Sequence, residues 1–309
     1  MGFLLNTCAR TLTALFVLPA LAQQPPRTIV AISAGGGDYL KGAGGTLARF
    51  IDEGYKVYVI QTGNDEKYSI GLGPAETRVA NNADAERAAR ALGVTEIVNL
   101  NNKTGELSQL SSNELRNQMS TLIRFFKPQK LFLPDPYIHY DPEWDQFWTG
   151  RAAEETNYTN SGAFLAELVR IGIKGHSVPE TYYYSTRRPY RPGEGGHNGA
   201  RLEAVDISGT FQRKAEALMQ LRTTNRAYAE HVRQRLELMN RPSALLEKLD
   251  EASVDALARE WLRELAITIG AKHGFSHGEE FNYHGSPPGE RQPLPPWILE
   301  RAKPLPRKP

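Results

Sequence analysis

The chain has 309 residues, 40% hydrophobic and 23% charged, enough to bury a substantial core in one large domain or one domain with an added lobe. Its 37 basic residues against 35 acidic ones leave a formal charge of +2, a balance that gives no electrostatic footprint for nucleic acid. Cys8 is the only cysteine, which excludes a disulfide scaffold and a multi-thiolate metal site.

Arg10 precedes the apolar run Thr11 to Ala22, which ends in Ala20-Leu21-Ala22. A positive start, a short apolar stretch and an A-x-A end predict a secretory signal peptide over residues 1–22, and crossing a bilayer would take about 20 apolar residues. The mature chain is expected to start near Gln23, outside the cytoplasm (secreted or periplasmic), with no integral membrane segment and no thiol. Residues 23–285 are expected to form one domain. Residues 286–309, rich in proline and basic side chains, read as a solvated tail.

Within that domain, Arg27 to Ser33 is a β-branched run entering a glycine cluster and reads as a buried strand. Thr46 to Glu53 reads as a helix closed by Gly54, and Lys56 to Gln61 as a second strand before the polar turn Thr62-Gly63-Asn64-Asp65. Pro74 to Leu92 is a long helix stopped by Gly93, Glu96 to Leu100 a third strand, Ser112 to Phe126 a helix stopped by Pro128, and Lys130 to Leu133 a fourth strand. A helix follows Thr149 to about Tyr158, and Thr181 to Ser185 and Ala204 to Ile207 read as later strands. Phe211 to His231 and then Ser243 to Ile269 read as helical. Strands alternating with helices predict a Rossmann-like three-layer α/β/α fold with a mostly parallel sheet. Ligands of such sheets sit at the carboxyl ends of the strands, so the loops 34–45, 62–74 and 134–149 are the ones to inspect.

The first of these loops, Ala34 to Gly45, invites a phosphate reading. The spacing fails: Leu40 stands where a dinucleotide fingerprint needs glycine, and Ala43-Gly44 stand where a P-loop needs Lys-Ser/Thr. The run Gly42-Ala43-Gly44-Gly45-Thr46-Leu47-Ala48, with Glu53-Gly54 and Gln61-Thr62, instead resembles the start of the family named for phosphatidylinositol-N-acetylglucosamine de-N-acetylase, PIG-L or LmbE-like. Asp135-Pro136, Trp144-Asp145 and Thr149-Gly150-Arg151-Ala152-Ala153 are similar to its second motif region. Val205-Asp206-Ile207-Ser208 with Lys214 and Ala217, and Gly278-Glu279-Glu280-Phe281, are similar to its later segments.

The resemblance implies metal-dependent amide hydrolysis of N-acetylglucosaminyl-type substrates. In that chemistry two His and one Asp hold a zinc or similar ion, a second Asp acts as base, and the open metal position activates water. In the register set by Gly42 to Gly45, the first His position is Gly35, the base position is Gly37, and Asp38 is the one retained metal ligand. In the register set by Thr149-Gly150-Arg151, the third ligand position is Gln146, the auxiliary His position is Glu143, and Asp145 matches the acidic residue that steadies it. Glycine can neither ligate nor accept a proton, and an amide oxygen is a poor substitute for imidazole towards zinc.

The expectation is an exported, catalytically impaired family member that needs no cofactor and binds an amino-sugar or cell-envelope glycan, or a partner, in the inherited cleft. The alternative is an active hydrolase of C–N (amide) bonds, with zinc or another divalent metal in an oxygen-rich site. That site would draw on Asp38, Glu143 and Asp145, with Asp135, Asp141 or His139. Arg78, Asp65, Trp144 and His277 are the candidate substrate contacts. Among the histidines His273, His277 and His284, Gly274 and Gly278 predict a loop or short turn. Trp144 and Trp148 bracket Gln146 and offer bulk that would fill a metal's space, whereas Tyr182-Tyr183-Tyr184 read as core.

Overall fold

The computed structural model describes residues 26–139, 144–159, 164–196, 199–285 and 295–302. Residues 1–22, expected as a signal peptide, and Asp141 and Glu143 therefore lie outside the described residues. In chain order the elements are β1 (Thr28–Ser33), α1 (Asp38–Asp52), β2 (Lys56–Gly63), α2 (Pro74–Leu92), β3 (Glu96–Asn102), α3 (Ser112–Phe126), β4 (Lys130–Pro134), α4 (Trp144–Thr159), α5 (Ala166–Arg170), β5 (Glu180–Tyr184), β6 (Arg201–Asp206), α6 (Phe211–Met219), α7 (Arg222–Leu238), α8 (Glu251–His273), β7 (Gly278–Gly285) and α9 (Pro296–Leu299). No helix among the described residues is long and apolar enough to cross a membrane.

The strands form one sheet in the order β3-β2-β1-β4-β5-β7-β6. The β1, β2, β3, β4 and β5 pairings are parallel, and β7 runs antiparallel to both neighbours. Alternate side chains enter two cores. Ile29, Ala31, Phe132, Tyr182 and Tyr184 pack with Leu40, Leu47, Leu92, Leu218 and Leu262 of the helices on one face. Val30, Ile32, Leu131, Leu133 and Tyr183 pack with Met119, Ile123 and Ala153 on the other. Burial on both faces explains why these strands read as continuous apolar runs, and it makes the tyrosine triplet core.

Three departures from the sequence expectation have a visible tertiary cause. First, α1 begins at Asp38, not Thr46, and carries glycines inside it, each of which costs about 1 kcal/mol relative to alanine in a helix. Tertiary contact overrides that cost. A Cβ on Gly45 would stand 2.7 Å from Ile207 Cβ, so glycine lets the helix lie against the β6–α6 corner. The buried pair Lys214–Glu279 (2.6 Å) also enters the helix here. Glu279 accepts from the Gly45 and Thr46 amides at 2.9 and 2.8 Å, while Lys214 Nζ donates to the Lys41 carbonyl at 2.8 Å. Second, the helix expected over Phe211 to His231 is two helices, separated at Gln220–Leu221, with Asn225 Nδ2 donating back to the Leu218 carbonyl at 2.9 Å. Third, Gly278–Gly285, expected as loop or turn, is the strand that joins β5 to β6.

Candidate functional site

Strand order reverses between β1 and β4, so the crevice at their carboxyl ends is the place a ligand would enter. The Gly35-Gly36 dipeptide leaves β1 there and is bound by two carboxylates. The Gly35 amide donates to Asp38 Oδ2 at 2.8 Å, and the Gly36 amide donates to Asp65 Oδ2 at 2.7 Å. Both carboxylates are more than nine-tenths buried.

Asp65 is forced inward by its backbone. It holds a left-handed φ of 53°, fixed on one side by its amide donating to Thr104 Oγ1 (2.7 Å) and on the other by Asn81 Nδ2 donating to its carbonyl (2.8 Å). Gln61 Nε2 donates to Asp65 Oδ2 at 3.2 Å and to the Gly63 carbonyl at 2.7 Å. The result is steric as well as electrostatic: a Cβ at Gly35 would stand 2.7 Å from Asp65 Oδ1. The carboxylate of Asp65 fills the space in which a side chain at position 35 would start. Burial pushes its carboxyl up to about 7, with the charges of Asp38 and Asp145 adding to the rise and the Gly36 amide opposing it. Burial likewise raises Asp38, against Lys41, the Gly35 amide and Gln146.

Gln146 is delivered by α4, which docks through Thr149 against Thr62 (Oγ1 to Oγ1, 2.8 Å) and through Gly150, where any Cβ would collide with the Pro134 carbonyl. Gln146 Nε2 donates to Asp38 Oδ1 at 3.0 Å, and its Oε1 accepts from Thr186 Oγ1 at 3.1 Å. Behind Thr186 lies His139. Its Nδ1 is 2.8 Å from the Asp135 carbonyl, and its Nε2 faces the Thr186 amide at 3.4 Å. An Nε2 that accepts from an amide is unprotonated, and burial holds this imidazole down at about 4.

The ligand set implied by the family resemblance does not fit a zinc ion here. Gly35 and Gly37 offer no donor, and the Gln146 amide nitrogen is turned to Asp38. Asp65 occupies the space over Gly35. Among the described residues no three His, Cys, Asp or Glu side chains stand together as a metal site. The oxygen-rich alternative is not assembled among them either. Asp135 is turned to the Tyr137 and Gly196 amides, Tyr190 and Asn282; Asp145 accepts from the Gly105 amide at 2.6 Å; His139 reaches Asp38 only through Thr186 and Gln146.

Of the expected substrate contacts, Asp65 is in the site and Trp144 is half-exposed at the start of α4. Arg78 lies on α2 three residues before Asn81 and seven before Ala85, the stripe facing Asp65 and Gly36, and has no hydrogen bond or ion pair among the described residues. His277 is not brought to this group. It stacks on Phe211 (4.2 Å between centroids) at the corner of β6 and β7, at the far end of the sheet from β2. His273 pairs with buried Glu280 at 2.7 Å, a structural contact. The roles of Thr186 and Asn81 had no signal in the sequence, since each acts on a partner well along the chain; Gln61 stood in the family-like pair Gln61-Thr62 but with no role attached.

Residues 30–146 match the family model of PIG-L, GlcNAc-PI de-N-acetylase. The chain is similar to diacetylchitobiose deacetylase of Thermococcus kodakarensis, 26% identical over 151 residues, 48% of this chain. It thus spans about half (56%) the length of that curated relative. Among solved structures it is similar to N,N'-diacetylchitobiose deacetylase from Pyrococcus horikoshii, in complex with its inhibitor MPG (TM-score 0.64, 22% identity, 84% of each chain). It is also similar to the conserved protein TT1542 from Thermus thermophilus (TM-score 0.59, 17% identity, 86% of this chain and 98% of that one). GalB, the 4-carboxy-2-hydroxymuconate hydratase from Pseudomonas putida, gives TM-score 0.59 at 16% identity, over 86% and 100%. A deacetylase and a hydratase on one fold leave the chemistry to the site residues.

Proposed function

Because the chain belongs to the PIG-L, LmbE-like deacetylase family, we propose that it is an exported member that has lost N-deacetylation and uses the inherited cleft to bind an amino-sugar glycan. The observation that carries this reading is the direct hydrogen bond from Gln146 to Asp38, together with Asp65 seated over Gly35. Positions that would hold an ion from three sides are tied to each other by protein groups. Loss of a general base alone removes about 10²–10⁴-fold in rate. In this reading Asp65 lies in the cleft, and Arg78 on α2 and half-exposed Trp144 are the further substrate contacts. Export rests on the pattern of residues 1–22.

The test is deacetylation of N-acetylglucosamine oligosaccharides by the purified chain with zinc, cobalt or manganese added. The expected outcome is no turnover above buffer, with saturable binding of amino-sugar oligosaccharides by calorimetry. Chelator-sensitive deacetylation would overturn the loss of catalysis. Mass analysis of protein recovered from the culture medium or periplasm checks export; a chain retaining residues 1–22 inside the cell would contradict it.

A further inference from the structure

We propose that the cleft selects the protonated primary amine of a deacetylated amino sugar over its N-acetyl form, holding the ammonium at the Asp38–Asp65 carboxyl pair. This rests on the glycan-binding reading above and specifies its ligand.

Two carboxylates meet on one dipeptide, and neither Asp38 nor Asp65 forms an ion pair among the described residues. Lys41, whose charge acts on both carboxyls, lies over the Trp261 ring, with its Nζ 5.6 Å from the centroid. Asp65 Oδ1, the oxygen lying against Gly35, accepts no hydrogen bond among these residues, because the Gly36 amide and Gln61 both use Oδ2.

A second, independent observation is the Gln61 side chain. It is fully buried, and its Oε1 has no partner among the described residues. That oxygen faces Gly36 beside Asp65 Oδ2: the two lie 3.5 and 3.4 Å from the point a Gly36 Cβ would occupy. The amide orientation is fixed, since Nε2 already donates to Gly63 and Asp65. An orphaned buried acceptor next to two unpaired carboxylates is the complement of a donor-only cationic group.

An ammonium has three N–H donors and a full charge, so it answers each of these groups. An acetamide has one N–H and no charge, so it cannot balance the pair with both carboxyls ionised. With it bound, at least one carboxyl stays protonated, whereas an ammonium lets both ionise. The substitutions that remove a metal's ligands therefore also reverse the electrostatic preference, from a site implied to hold a cation of its own to one that requires a cation from its ligand.

The test is calorimetric titration of the full chain, in chelator, with glucosamine disaccharide and with N,N'-diacetylchitobiose, on wild type and on Asp65→Asn. The expected result is about tenfold or greater preference for the free amine, falling towards unity in the variant. Amide NMR of the wild type adds a readout that needs no substitution: the Gly35 and Gly36 N–H signals should shift with the amine and not with the acetamide. Equal or tighter binding of the acetylated sugar overturns the amine preference and leaves the glycan reading standing. Binding of neither sugar overturns both. An amine preference that Asp65→Asn leaves intact, with unmoved Gly35 and Gly36 signals, overturns the assignment to this carboxyl pair.

Discussion

Replacing Gly35 with alanine tests whether Asp65 has taken over the space of a lost side chain. The new Cβ would stand 2.7 Å from Asp65 Oδ1, 3.3 Å from Oδ2 and 3.4 Å from Cγ, so the carboxylate must retreat by several tenths of an ångström. It cannot do so freely, because the Gly36 amide, Gln61 and the Thr104 and Asn81 clamps on its backbone hold it. Overpacking of this kind costs about 1–3 kcal/mol. If the carboxylate swings away instead, two hydrogen bonds are lost at about 1 kcal/mol each. Either route gives a penalty of about 2 kcal/mol. Gly35 does not have a left-handed φ, so alanine brings no backbone strain of its own. In an Asp65→Ala background the obstacle is gone, and Gly35→Ala should cost less than about 0.5 kcal/mol. Urea unfolding of the four proteins at one pH closes the cycle, with a coupling of about 2 kcal/mol expected and m-values unchanged. Equal penalties in both backgrounds would refute the steric takeover.

Three further outcomes are expected. Lys214→Met should destabilise the fold by about 3–5 kcal/mol in urea melts, because it strands the buried Glu279 carboxylate; joining it to Glu279→Gln should recover part of the loss. His139 titrates at about 4 when folded and near 6.5 when unfolded, so its contribution is present above pH 6.5 and is lost as pH falls through 4. That is up to about 3 kcal/mol, read as a steeper acid-side fall in the urea midpoint than for His139→Gln. Asp65 has the opposite sign: its folded value of about 7 lies above its unfolded 3.8, so its contribution is present below pH 3.8 and is lost as pH rises through 7. Asp65→Asn should therefore gain on wild type by about 2–4 kcal/mol between pH 4 and pH 8 in the same assay, and a pH-independent difference would count against the buried, raised carboxyl.

Helices with local punctuation were legible in the sequence. Pro74 at the first turn and Gly93 at φ 94° bound α2 as read, and α3 runs from Ser112 to Phe126, just before Pro128. The parallel strands were legible because they are buried on both faces. What escaped was set by distant partners. The start of α1 depends on Ile207 and Glu279, and the break between α6 and α7 falls at Gln220-Leu221, where neither glycine nor proline marks it. β7 is a strand because β5 and β6 bracket it, despite its polar residues. At the site, the glycine and glutamine positions were legible from register. The inward turn of Asp65 was not, since it requires Thr104 and Asn81 to hold a left-handed aspartate.

The contact of Glu279 with the Gly45 amide spans 234 positions, so the helix that starts with Asp38 is completed by a residue synthesised long after it. β7 is also an interior strand, inserted between β5 and β6. A nascent chain would hold β1 and α1 early, with a gap in the middle of that helix waiting for its closing residues. A product ending before Gly278 would lack the bolt of its first helix, and β6 would be left with no strand to join. Completion of the helix beneath the crevice thus waits for a segment made well after the Gly35-Gly36 loop and Asp65.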